Sequence, residues 1–120
     1  MMDVTSADLE DGIRKIDLVG RLDVEGAEAI NLKLTVLTTT AKILAVVDLV
    51  GVEFLASIGI ATLVRCAKSA RMRGGNMVLL NPKPSVAKVL ASSRIDQIIP
   101  VCYSLDEART LVRGAPSSLL

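Results

Sequence analysis

One run constrains the fold more than any other, Ile43 to Gly75, ILAVVDLVGVEFLASIGIATLVRCAKSARMRGG. It opens on Ile43 to Leu49, which is almost wholly apolar and reads as a short strand buried on both faces. Gly51 is the breaker of a turn after it. Phe54-Leu55-Ala56-Ser57-Ile58-Gly59 then leads into apolar residues at helical spacing, Ile60, Leu63, Val64 and Ala67. A helix is predicted from about Ile58 to Met72. Ser57 stands where its N-cap belongs, with a hydroxyl able to accept from the N–H of Gly59 or Ile60. A helix N-terminus also favours phosphate, through free N–H groups and the dipole. Ser57 is therefore either a plain cap or a cap that phosphorylation can switch.

A chain of 120 residues is one domain. Its apolar fraction of 51% fills one core, and with aromatics at 2% that core must be aliphatic. The net charge of +1 comes without a basic stripe, and almost nothing can stack on bases, which argues against nucleic-acid binding. Histidine is absent. That removes Ser-His and Cys-His dyads, His ligands and a His general base together. Cys66 and Cys102 have no zinc spacing and read as small buried hydrophobes in a reducing compartment. The N-terminus lacks the basic start and apolar run of a signal peptide, and no stretch approaches the roughly 20 residues of a membrane span. A cytoplasmic protein is expected, with no cofactor or metal indicated.

In chain order, a short edge strand is placed near Asp3 to Leu9, and Asp11-Gly12 is a turn. Ile13 to Val19 is a strand that can pair with the first as a hairpin. Gly20-Arg21-Leu22-Asp23 ends it, and Asp23 caps a helix carrying Ala27, Ile30, Leu34 and Leu37, closed by Thr38-Thr39-Thr40. The central helix shows Thr62, Arg65 and Lys68 on its polar side, with Arg73 just past its end, and Gly74-Gly75 stops it. Asn76 to Leu80 is a strand, and Ser85 caps a short helix through Val86, Val89 and Leu90. Ile98 to Tyr103 is a last strand, placed at an edge by Pro100. Ser104 caps a final helix with Glu107 in a capping box, and 114–120 reads as a frayed tail after a domain spanning 1–113. The order β-β-α-β-α-β-α-β-α implies a single α/β domain, with a mostly parallel four- to five-stranded sheet and about four helices.

This pattern resembles the STAS family, whose founding soluble members are bacterial anti-sigma factor antagonists. The likeness runs from about Asp3 to Val112. It is carried by Gly20-Arg21-Leu22-Asp23, Val46-Val47-Asp48-Leu49, Val52 to Gly59, Arg71 to Gly75, Asn81-Pro82, and Ile98 to Val101 with Asp106-Glu107-Ala108. The family motif is similar to Asp-Ser-Ser-Gly or Asp-Ser-Thr-Gly and reads here Ala56-Ser57-Ile58-Gly59. The resemblance puts Ser57 on the serine that a partner kinase phosphorylates and Gly59 on the motif glycine. Asp23 falls near the partner surface. Ala56 stands where the family has aspartate, and Ile58 where it has a second hydroxyl. The implied partners are an anti-sigma factor that is also a serine kinase, and a phosphatase. The implied role is non-catalytic binding through Asp23, Leu55, Ala56, Ile58 and Gly59.

Each of these residues also has a simpler reading. Ser57 and Asp23 can be caps alone, and Leu55 and Ile58 are a docking patch if exposed and core if buried. Arg65, Lys68 and Arg73 read as a solvated face. Asp48 has no second group beside it for acid catalysis. A constitutively binding STAS scaffold subunit of a sensory complex or lipid transporter is the alternative function. A Ser57 hydrolase lacks a base. Oligomeric state stays open between monomer and weak dimer.

Overall fold

The computed structural model describes residues 2–114. Five strands form one sheet in the order β1-β2-β3-β4-β5. They are β1 (Met2–Asp8), β2 (Ile13–Leu22), β3 (Leu44–Leu55), β4 (Asn76–Leu80) and β5 (Val101–Cys102). β1 pairs antiparallel with β2, and every other neighbour is parallel. The helices are α1 (Val24–Thr39), α2 (Ser57–Met72), α3 (Pro84–Ser92) and α4 (Leu105–Arg113). The architecture is the α/β order expected from the alternation of periods.

The helices divide unequally between the two faces. Ala27, Ile30 and Leu34 of α1, Leu63, Cys66 and Ala67 of α2, and Val86 and Leu90 of α3 share one core with Ile16, Leu18, Val47 and Leu79. On the other face α4 alone, through Ala108 and Val112, packs on Ile13, Val46, Val78, Leu80 and Cys102. Cys66 and Cys102 are free, buried, and in different cores. Burial, with Glu107 nearby, pushes the Cys102 thiol up to about 11.

Several elements depart from the sequence reading. Gly51 does not break a turn: β3 runs through it to Leu55. The register between β2 and β3 shifts twice there, so the strand bends instead of ending. A Cβ on Gly51 would lie 2.8 Å from Val19 Cγ2, which explains a glycine inside a strand. Ser85 does not cap α3; Lys83 is the N-cap and Pro84 holds the first helical position, where its missing N–H costs nothing. The last strand is cut to Val101–Cys102, because Ile95–Gln97 forms a 3-10 turn entered through a left-handed Arg94. Pro100 precedes the edge strand, and its carbonyl accepts from the Leu79 N–H at 2.8 Å.

Other local readings hold. Asp11-Gly12 turns the β1–β2 hairpin with Gly12 at φ +81°. Ser104 Oγ accepts from the Glu107 N–H at 3.1 Å, while Glu107 Oε1 accepts from the Tyr103 N–H at 3.3 Å, one residue before the N–H that a capping box would use. α1 closes on its threonines, whose hydroxyls donate to carbonyls one turn back, Thr38 to Leu34 and Thr39 to Thr35. Of the tail read over 114–120, only Gly114 falls within the described residues, as the C-cap of α4.

The N-terminal ends of the first two helices form the candidate site

β2 and β3 end side by side. Leu22 and Leu55 are register partners, and the Ala56 N–H donates to the Leu22 carbonyl at 3.0 Å. α1 leaves after Leu22 and α2 after Leu55, so the two helix starts are neighbours at one end of the sheet. Both begin on an extended residue, Asp23 or Ala56, and both carry a glycine at the third helical position, Gly26 or Gly59. A Cβ on Gly26 would lie 2.0 Å from the Arg21 carbonyl oxygen, and one on Gly59 2.7 Å from that of Leu22. Each glycine lets its helix start against the end of β2.

The caps differ. Asp23 accepts from the Gly26 N–H at 2.9 Å, as its position predicts. That bond, opposed by partial burial and helped by Arg21, holds the Asp23 carboxyl below its usual range. Glu25 adds negative charge in the first turn of α1. At α2 the expectation fails by one residue. Ala56 is the N-cap and makes no side-chain bond, while Ser57 is the first helical residue. The reason is tertiary: the Leu22–Leu55 pairing carries β3 far enough that the chain turns at Ala56. The first N–H of α2 to close on the backbone is that of Ile60, on the Ala56 carbonyl at 3.1 Å. The N–H groups of residues 57–59 precede it, with no acid in the turn to answer them.

The proposed site residues therefore divide. Ser57 and Ile58 are exposed, Ile58 to 43%. Asp23 and Ala56 are half-buried. Leu55 is not part of a surface patch: it lies in the main core beneath the loop, as Gly59 lies against Leu22. Ile58 also lines an open groove of about 440 Å³ between α1 and α2, with Ala27, Glu28, Asn31, Ala61, Thr62 and Arg65. Thr62 is not on the solvated side of α2; it is buried and donates to the Ile58 carbonyl at 3.0 Å. Arg65 donates to Thr35 Oγ1 at 3.2 Å and to Asn31 Oδ1.

The sequence matches the STAS domain family over residues 5–108. The chain belongs to the STAS domain family. Its fold matches an anti-sigma factor antagonist from Mycobacterium paratuberculosis with a TM-score of 0.83 at 22% identity, covering 95% of this chain and 96% of the other. It also matches the anti-sigma factor antagonist SpoIIAA in its unphosphorylated form, with a TM-score of 0.71 at 24% identity over 94% and 98% of the two chains. The phosphorylated form of the Bacillus cell fate determinant SpoIIAA matches with a TM-score of 0.64 at 22% identity over 92% and 100%. At these identities the likeness establishes the fold.

Two features of this STAS site are not visible as motifs. Arg21 lies over the Phe54 ring, 4.5 Å from its centroid, and reaches Asp23 Oδ2 at 3.6 Å. Their positions follow from the Arg21–Phe54 register pair, which sequence spacing does not reveal. Asp48 is a structural carboxylate, buried, bonded to Lys15 Nζ at 3.2 Å and accepting from the Val50 N–H at 2.9 Å. Among the described residues no helix is long and apolar enough to cross a membrane.

Proposed function

We propose that this STAS chain is an anti-sigma factor antagonist controlled by phosphorylation of Ser57. The unmodified chain binds an anti-sigma factor that is also a serine kinase, and so frees the sigma factor. The kinase phosphorylates Ser57, the complex separates, and a phosphatase resets the chain. The chain supplies binding and no catalysis. The observation that carries this reading is the exposed Ser57 hydroxyl on an uncapped first turn, with exposed Ile58 beside it.

The physics follows from that placement. A phosphate adds about 1.5 to 2 negative charges and three acceptor oxygens. Its own helix tolerates the charge, because the N–H groups of the first turn are unanswered there. A partner surface laid over Ile58 and the half-buried Ala56 does not, since docking would strip water from a doubly charged group. The modification releases the partner without moving a backbone element. Asp23 borders the same surface, and Leu55 and Gly59 set the loop from beneath.

Ala56 and Ile58 favour a second reading, a scaffold subunit that binds its partner constitutively, because both replace polar residues of the family motif. One experiment separates the two. Incubation with a cognate anti-sigma factor kinase and ATP, followed by mass spectrometry, places phosphate on Ser57 and finds none on Ser57→Ala. A stable complex that never yields phosphate, and that Ser57→Asp leaves intact, supports the scaffold.

A further inference from the structure

The outer side of α1 is apolar as well as its inner side. Ile30 and Leu34 are buried in the core. Ala29, Leu32 and Val36 follow one another at spacings of three and four on the opposite side and are exposed, Leu32 to 76% and Val36 to 47%. Together they make a continuous apolar row along the helix, unlike singly scattered apolar residues. Charges without opposite-sign partners among the described residues flank it: Glu25 at its N-terminal end, Lys33, which reaches only the Val4 carbonyl, and two on the groove side. Glu28 sits one turn before Leu32 and has no ion-pair partner among the described residues. Arg65 of α2 is held beside the seam by Thr35 and Asn31 and has no carboxylate partner among them either. Both line the same groove, yet they do not pair with each other within one chain.

We propose that this face docks a second copy of the chain, α1 against α1, antiparallel about a two-fold axis at Leu32. A two-fold interface must be self-complementary, and this seam is. Leu32 meets Leu32 on the axis. Ala29 and Glu28 of one copy lie level with Thr35 and Val36 of the other. At 3.6 residues per turn, Glu28 and Thr35 project to the same side of the seam. The Glu28 carboxylate of each copy therefore approaches the Arg65 guanidinium that Thr35 holds on the other. Two symmetric ion pairs form from charges that a single chain leaves unmatched. A strongly acidic or strongly basic partner would set one of these two charges against its like. The net charge of +1 opposes self-association little.

The seam is one helix long, so it buries less than the roughly 800 Å² per partner of a standard interface, and the dimer is a transient one. Antiparallel pairing also sends the two α2 N-termini to opposite ends of the assembly. Association through α1 and modification at Ser57 are therefore separable.

Sedimentation equilibrium on the full chain, from about 10 μM to about 1 mM at low salt, tests it. The mass average is expected to climb from 12.7 kDa toward twice that value. Leu32→Glu weakens association at least about tenfold, since it sets two carboxylates together on the axis. Glu28→Arg alone and Arg65→Glu alone each weaken it, and the double exchange restores it. All three positions are exposed, so an unchanged circular dichroism spectrum verifies that each variant folds. A one-chain mass at every concentration overturns the proposal, and is the outcome expected if the seam serves a different protein. A dimer unmoved by Leu32→Glu, or a double exchange no better than the single changes, overturns it as well.

Discussion

The first turns of α1 and α2 are two versions of one construction. Leu22-Asp23-Val24-Glu25-Gly26 and Leu55-Ala56-Ser57-Ile58-Gly59 leave paired strands at the same end of the sheet, each with glycine at the third helical position. In α1 a fixed aspartate and a glutamate answer the positive end. In α2 neither is present, and a hydroxyl and an isoleucine face solvent instead. The geometry of a helix start and its charge are therefore separable. The glycine and strand register set the geometry in both, while the charge is built into α1 and absent from α2.

Substitutions separate the geometry from the charge, and the glycines carry the largest effects. Gly26→Ala places a Cβ on a backbone oxygen, at 2.0 Å from Arg21, and should cost about 3 kcal/mol or more. Gly59→Ala meets Leu22 Cγ at 2.5 Å as well as its carbonyl, and should cost about 2–3 kcal/mol. Urea denaturation midpoints measure both. Losses under about 0.5 kcal/mol would mean the two helix starts are not held against β2 as described.

The caps come next. Asp23→Ala removes the bond from the Gly26 N–H and should lower the urea midpoint near neutral pH, by less than either glycine change. Asp23 titrates below its ordinary value of 3.8, so its stabilisation is complete above that pH. It disappears as pH falls through the lower folded value, and the gap between wild type and variant should close there. Ala56→Asp supplies the absent cap to α2 and should raise the melting temperature, by up to about 1 kcal/mol of stability. The added stabilisation should show the same acid sensitivity. The same variant restores the aspartate of the family motif, so its effect on kinase recognition is informative in its own right. Ser57→Asp is smallest, a gain of about 0.3–1 kcal/mol at the same helix end. A loss of stability there would show that the end of α2 is not open to negative charge.

Much of this arrangement was legible in the sequence. Alternating periods gave the element order, and the polar residues Asp23 and Ser104 marked their helix starts correctly because each side chain makes the capping bond itself. Ser57 and Ser85 were misplaced for a shared reason. Cap propensity is local, while the turn of the chain at Ala56 is set by the Leu22–Leu55 pairing, and that at Lys83 by Pro84. Gly51 signalled a turn because a bulged strand and a loop both recruit glycine. The fates of Leu55 and Ile58, one core and one exposed, depend on which way each points where strand gives way to helix. Two apolar positions three residues apart do not encode that. Nor did any motif announce the outer row of α1, since a helix apolar on two sides reads first as a well-buried one.

In the function proposed above, charge added at Ser57 is accepted by its own helix and refused by a docked partner. Titration calorimetry with the purified anti-sigma factor kinase, comparing unmodified chain with chain phosphorylated at Ser57, tests this directly. Phosphorylation is expected to weaken binding at least about a hundredfold, a loss of about 2.7 kcal/mol, while the modified chain melts no lower than the unmodified one. Equal affinities for the two forms would contradict it, and so would a phosphorylated chain whose lost affinity tracks a lost fold.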